Sequence, residues 1–303
     1  MLTIQILTRN NEKHIKRCID SLSPLQAKIQ IADLQSTDRT CEICKGCEIL
    51  RVEPDLDRSK IRNALLKLTK TEWLMYIEPY EALVSGHEDL LKACKGNLSA
   101  YYLRILRNDI LTKEIRLWRK DSNLCFRRPV YEGIEAPASV LSSLICGEIK
   151  LSSNLLKSLK EWQEKEPTSP EPIYYLALTY LALGNYQNFI TAAEHYLFQA
   201  KKEDDSTILL KYYLALTEIK VFGNHEKGAK NLLSCLALKP LNAEFWCLLG
   251  DLFLARSDLK RAKIFYNHAL FFGKERNLDD DFFVEISKYE DYPKSLLVRL
   301  NNL

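Results

Sequence analysis

No stretch of this 303-residue chain stays apolar for long enough to span a bilayer, which excludes a helical membrane protein. A surplus of one charge is also missing. With 43 basic and 40 acidic side chains the formal net charge is +3, so no global field draws the chain to nucleic acid or an anionic membrane. A small or neutral partner is expected instead. The first residues, MLTIQILT, have no basic region ahead of their apolar stretch, and Arg9 interrupts it early. That pattern argues against a secretory signal and for a soluble, cytoplasmic protein. His14, His87, His195, His225 and His268 lie singly, without the spacing of a zinc site or a catalytic triad. The nine cysteines are scattered in a way that suits a reducing compartment.

What is present is ample material for two cores: 47% of the residues are apolar, and the length exceeds what one core usually organises. The first half alternates strand and helix. Residues 3–7, 28–32, 47–52 and 73–77 read as short apolar strands, with helical spacing over 12–22, from about Ser36 and over 61–68. Such a β-α-β series predicts a mostly parallel sheet covered by helices, with ligands bound beyond the carboxyl ends of the strands. The polar clusters fall at those ends: Thr8 to Asn11, Asp33 to Asp38, and Glu78 to Glu81. Cys41, Cys44 and Cys47 form a C-x-x-C-x-x-C run that resembles part of a metal site. No fourth ligand lies nearby, and core packing of small thiols is the expected role.

Six motifs in order carry a family resemblance. They are TRNNE at residues 8–12, DLQSTDRT at 33–40, SKIRN at 59–63, WLMYIEPYE at 73–81, IRLWR at 115–119 and PVYEG at 129–133. They resemble (V/T)-K-N-E-E, D-x-G-S-T-D-x-T, S-x-A-R-N, W-I-L-x-L-D-A-D-E, R-L-F-R and V-H-E of the family 2 glycosyltransferases with the GT-A fold. The resemblance covers about residues 1 to 140 and implies a GT-A-like α/β domain that binds a nucleotide sugar. By the same resemblance Thr8, Arg9 and Asn10 shape the base and ribose edge, Asp33 accepts from the base N–H, and Arg62 stacks on the base or pairs with phosphate. Asp38 reads as a capping residue rather than a ligand.

The departures narrow this. In the family the aspartates of D-x-D hold Mg²⁺ or Mn²⁺ against the diphosphate. Here Glu78, Pro79 and Tyr80 stand in their place, so Glu78 is the one remaining candidate metal ligand and Tyr80 offers a neutral phenol. The V-H-E histidine is Tyr131, whereas Glu132 remains as the candidate general base toward an acceptor hydroxyl. Both changes weaken a site for a hard cation, and arginines such as Arg116 or Arg119 are candidates to replace it.

Near residue 150 the chain turns wholly helical. Trp246, Leu249, Gly250, Phe253, Ala262, Tyr266 and Ala269 fit the tetratricopeptide spacing, and Tyr212 begins a copy one repeat earlier. A first copy carries Leu176, Tyr180, Gly184 and Phe189, and residues 296–300 read as a cap or a dimer helix. The expected organisation is therefore residues 1–150 as the α/β nucleotide-sugar domain and 151–303 as an all-α repeat domain for a protein or peptide partner or a second copy. Two functions remain open: sugar transfer to a protein, peptide or glycan acceptor, or a lapsed transferase fold serving as a binding scaffold.

Overall fold

A computed structural model describes every residue except 55–56, 149–153, 201, 279, 281 and 303. The chain forms two compact units, Met1–Lys150 and Leu151–Leu303. The expected boundary at 150 and 151 lies outside the described residues.

In the first unit β1 (Leu2–Thr8), β2 (Lys28–Asp33), β3 (Glu48–Arg51) and β4 (Trp73–Tyr76) run parallel in the spatial order β3-β2-β1-β4. Helices cover such a sheet, so β1 is buried along its whole length and its residues are mostly aliphatic. Its one large polar side chain, Gln5, donates to Gln30 at 3.1 Å and to Thr69 at 3.0 Å, which removes much of the cost of burying an amide. The connecting helices are α1 (Ile15–Leu22), α2 (Thr40–Ile43) and α3 (Arg58–Leu68). Asp57 starts α3 by accepting from the Ser59 amide at 2.8 Å. The helix expected from Ser36 is only one turn long. Ser36, Thr37 and Asp38 are bonded to Asn10 and Glu12 across the loops, and these tertiary bonds outcompete helix initiation.

The rest of the unit comprises β5 (Ala82–Ser85), α4 (His87–Ala93), β6 (Ala100–Arg107), β7 (Ile110–Arg119) and β8 (Ser139–Gly147). They extend the sheet as β4-β7-β6-β8-β5, with β7 antiparallel to β4 and to β6. The sheet is thus mixed, with its parallel half where the sequence placed it. Between β6 and β7 Asn108, in the left-handed region at φ 55°, opens a two-residue turn of the kind that matches strand twist.

The second unit is all helix apart from short segments: α5 (Leu155–Lys165), α6 (Glu171–Ala182), α7 (Tyr186–Gln199), α8 (Asp205–Lys220), α9 (His225–Leu238), α10 (Ala243–Ala255), α11 (Leu259–Glu275) and α12 (Asp291–Asn301). The expected repeats are the pairs α6/α7, α8/α9 and α10/α11. Each pair turns the same way. A left-handed residue (Gly184, Gly223, Ser257) is followed by Asn185, Asn224 or Asp258, whose side chain caps the second helix. Leu300 of α12 packs with Ala262 and Tyr266, so the terminal helix caps the last pair. No described helix is long and apolar enough to cross a membrane.

Gly250 of α10 lies directly against Tyr266 of α11. A Cβ there would stand 2.5 Å from the ring of Tyr266, which is fully buried and held by its hydroxyl donating to Asp251 at 2.7 Å. Alanine gains roughly 1 kcal/mol of helix propensity over glycine. The ring has no room to yield, so overpacking at about 1–3 kcal/mol wins. Gly250→Ala should therefore destabilise the helical unit in urea denaturation of the full chain; an increase in stability would contradict this packing.

Candidate functional site

The chain leaves β1 toward β2 and β3 on one side and returns through α3 to β4 on the other. Sheets with this order have their ligand crevice where the direction switches, beyond the carboxyl ends of β1 and β4. The loops after β1 and β2 are locked together at that edge. Asn10 donates its amide to Ser36 Oγ at 2.9 Å and accepts from the Thr37 amide at 2.8 Å, while Asp38 accepts from the amides of Glu12 and Thr40 at 3.0 Å. Asn10 and Gln35 both sit in the left-handed region, at φ 53° and 54°. Gln35 occupies the position where the family motif has glycine, and it adopts there the conformation that glycine favours. Thr8 and Asp33 are buried under this double loop, with the Asp33 carboxylate accepting from the Ser36 amide at 3.1 Å; Arg9 and Asn10 are exposed above them.

After β4, residues Glu78 to Glu81 fold into a tight turn, the Glu81 amide donating to the Glu78 carbonyl at 2.9 Å. Pro79 suits its second position because the ring fixes the required φ. The Glu81 carboxylate returns to accept from the Glu78 amide at 2.9 Å, and the Cys18 thiol of α1 reaches the Glu78 carbonyl at 3.5 Å. The backbone of Glu78 is therefore fixed, and its side chain faces α3.

There it meets two arginines. Arg62 is 0% exposed, yet its Nε donates to Glu132 at 2.8 Å and its Nη2 to Glu78. Arg58, one turn earlier on the same helix face, donates Nε to the same Glu132 oxygen at 2.8 Å and Nη2 to Glu78 at 3.4 Å. A second set adjoins. Arg116 and Arg107 hold Glu81 and Glu114 at 2.7–3.1 Å, and the ring of Tyr76 lies between the two sets, 4.8 Å from Arg62 and 4.1 Å from Arg116. Four arginines and four glutamates thus neutralise one another.

Burial works to raise the Glu132 pKa, but Arg58 and Arg62 outweigh it and hold the carboxyl at about 2. Glu114 is held at about 2 in the same way by Arg116 and Arg107. Tyr80 moves upward, chiefly through burial and then through Glu78 and Glu81, so its phenol stays neutral. Glu132 is ionised at neutral pH and is a weak proton acceptor.

Glu78, Tyr80, Arg62 and Glu132 therefore converge, while Thr8, Arg9, Asn10 and Asp33 form the neighbouring double loop. Arg62 has no exposed surface left for a base or phosphate. Arg116 is equally enclosed, and Arg119 pairs with Glu72 and Asp121 beside Trp73, at the opposite edge of the sheet. The residue that sequence reasoning missed is Arg58. Its spacing of four from Arg62 on a helix was the available signal. As a site for Mg²⁺ or Mn²⁺ the donor set does not fit: such ions need several oxygen ligands, and both carboxylates at hand are taken by guanidinium groups. Among the described residues no group of three His, Cys, Asp or Glu side chains is arranged to hold a metal. Cys44 is buried and Cys41 and Cys47 half-buried, all three as free thiols.

No protein-family model matches the chain, and no curated protein matches it. Among solved structures, S. aureus TarS 1-349 in complex with UDP is 12% identical over 99% of this chain and 91% of that one, with a TM-score of 0.41. MamA 41-end from Desulfovibrio magneticus RS-1 is 21% identical over 49% of this chain and 76% of that one, with a TM-score of 0.39. Glucosyl-3-phosphoglycerate synthase from Mycobacterium tuberculosis, in complex with phosphoglyceric acid, is 18% identical over 35% of this chain and 44% of that one, at 0.30.

Removing one carboxylate from this lattice should leave Arg62 buried and under-paired, at a cost of about 3–5 kcal/mol. Glu132→Gln is expected to lose that much in denaturant titrations at pH 7. Because the folded pKa lies below the unfolded value of about 4.3, the stability that Glu132 confers is complete above that value and is lost as pH falls toward about 2. The acid decline should be shallower in Glu132→Gln; an unchanged slope would show that the ion pairs do not form.

Proposed function

We propose that the first unit binds a nucleotide sugar and that the chain is a glycosyltransferase, with the repeat unit selecting a protein, peptide or glycan acceptor. The observation that carries this reading is the convergence at one sheet edge of the Thr8–Asn11 and Asp33–Asp38 loops with the Glu78 turn and the amino-terminal turn of α3. That edge is where sheets of this order bind nucleotides. In the proposed assignment the double loop takes the base and ribose through its exposed residues Arg9 and Asn10, and the buried Asp33 acts beneath them by holding the Ser36 amide and so the shape of the loop. The diphosphate then extends toward the arginine-carboxylate lattice.

Transfer requires the acceptor oxygen to bond to the anomeric carbon as the bond from that carbon to the phosphate oxygen breaks. The nucleoside diphosphate leaves with the bonding electrons, and the hydroxyl proton passes to a base. Glu132 is ionised and can accept it, but two guanidinium groups lower its basicity, so slow turnover is expected. The same ion pairs favour a second reading, in which the fold binds the donor without transferring it and acts as a scaffold through its repeats.

Titrating UDP, UDP-glucose and UDP-N-acetylglucosamine into the full chain by calorimetry, alongside an assay of UDP release, separates these readings. Transfer predicts saturable binding of one sugar nucleotide with slow UDP release, and Asp33→Asn should weaken that binding by about tenfold. Binding without release supports the scaffold. Failure of every nucleotide to bind would remove both readings of the first unit.

A further inference from the structure

The lattice holds one cation in a position unlike the other three. Arg62 and Arg116 are enclosed, and Arg107 is directed at Glu81 and Glu114, with 21% of its side chain exposed. Arg58 keeps 38% of its side chain exposed while reaching both carboxylates. We propose that Arg58 takes the place of the divalent cation at the diphosphate of a bound nucleotide. This rests on the nucleotide-sugar reading above and specifies how that site handles phosphate.

Three observations carry the inference. First, the carboxylates of Glu78 and Glu132 are neutralised by fixed cations. A metal entering between them would have to displace Arg58 and would still face Arg62, which is buried on all sides and cannot withdraw. Second, the two bonds of Arg58 are unequal. The 2.8 Å bond to Glu132 anchors the side chain, whereas the 3.4 Å contact to Glu78 is long enough for a phosphate oxygen to compete for the same nitrogen. Glu78 loses little in that exchange, since Arg62 continues to hold it. Third, the chemistry suits the ligand. A guanidinium presents a planar fork of donors that matches phosphate bidentately and remains charged at all working pH values.

Glu132 then has a defined task as a positioning residue: it orients Arg58. Tyr80, which replaces the second aspartate of the metal motif, adds no charge and so does not compete with a phosphate for the guanidinium.

Calorimetric titration of UDP and of uridine into the full chain, in EDTA and in Mn²⁺, tests this with wild type, Arg58→Ala and Arg58→Lys. Wild type should bind UDP equally well in both buffers. Arg58→Ala should weaken UDP by about tenfold or more and leave uridine unchanged, with Arg58→Lys intermediate because a point charge cannot make the bidentate contact. Uridine is the control for folding, since a merely structural role for Arg58 would weaken both ligands together. Tightening of UDP by Mn²⁺ in wild type, or equal losses for UDP and uridine in Arg58→Ala, would overturn the proposal while leaving the nucleotide-sugar reading intact. If Arg58→Ala does not fold, the EDTA and Mn²⁺ comparison on wild type and the Arg58→Lys titrations decide. Absence of UDP binding by wild type in both buffers would remove the proposal together with that reading.

Discussion

The pairing of buried Arg62 with Glu78 and Glu132 is the constraint on which the carboxyl edge of the first unit depends. A guanidinium removed from water costs several kcal/mol unless its donors find acceptors. Here the acceptors come from two distant places in the chain, 16 and 70 residues away. Pairing Nε and Nη2 of Arg62 therefore requires the turn after β4 and the segment before β8 to stand at fixed positions against α3, while its Nη1 is buried without a hydrogen-bond partner. The rings of Tyr76 and Phe126, 4.8 and 5.3 Å from the guanidinium, supply the rest of its surroundings. Lysine would not serve, because a single ammonium cannot face two carboxylates and two rings in one plane.

Much of the fold was legible because its signals are local. The four parallel strands are short, largely apolar runs, and the repeats set small and aromatic residues such as Gly250, Ala262 and Tyr266 at the tetratricopeptide spacing. The helix expected at Ser36 shrank because its capping side chains were drawn into bonds with residues about 26 positions earlier, which no local window contains. The second half of the sheet, where antiparallel pairs flank the parallel β6-β8 pair, had no alternating pattern strong enough to read. β7 is half-buried over its first five residues and buried only over the next four, so its two faces differ less than its position along the sheet.

The candidate site was legible by position and illegible by partner. The strand pattern set Asp33 and Glu78 beyond the carboxyl ends of their strands, where they stand, and Glu132 joins Glu78 there through Arg58 and Arg62. What motif order could not give is that Glu132 belongs to Arg58 across 74 residues, or that Arg116 spends its donors on Glu81 and Glu114. A basic residue near a predicted phosphate site is a candidate ligand only if the fold leaves its donors uncommitted. That is settled by long-range pairing, which depends on the whole topology.

Charge balance links the altered motif to this lattice. Two carboxylates around one divalent cation sum to zero, as do two glutamates beside two arginines, so the exchange preserves the net charge of the pocket. It changes the physics in other ways. A hydrated ion must shed water and satisfy a coordination geometry before it can bridge phosphate oxygens, whereas a guanidinium anchored by Glu132 needs only a small rotation. The cost falls on catalysis. A guanidinium spreads its charge over a plane, and a carboxylate committed to holding it is a poor base, so under the proposed reading the arrangement suits donor binding better than fast transfer. On the nucleotide-sugar reading proposed above, recognition and turnover thus draw on the same arginine-glutamate pairs, with opposite demands on them.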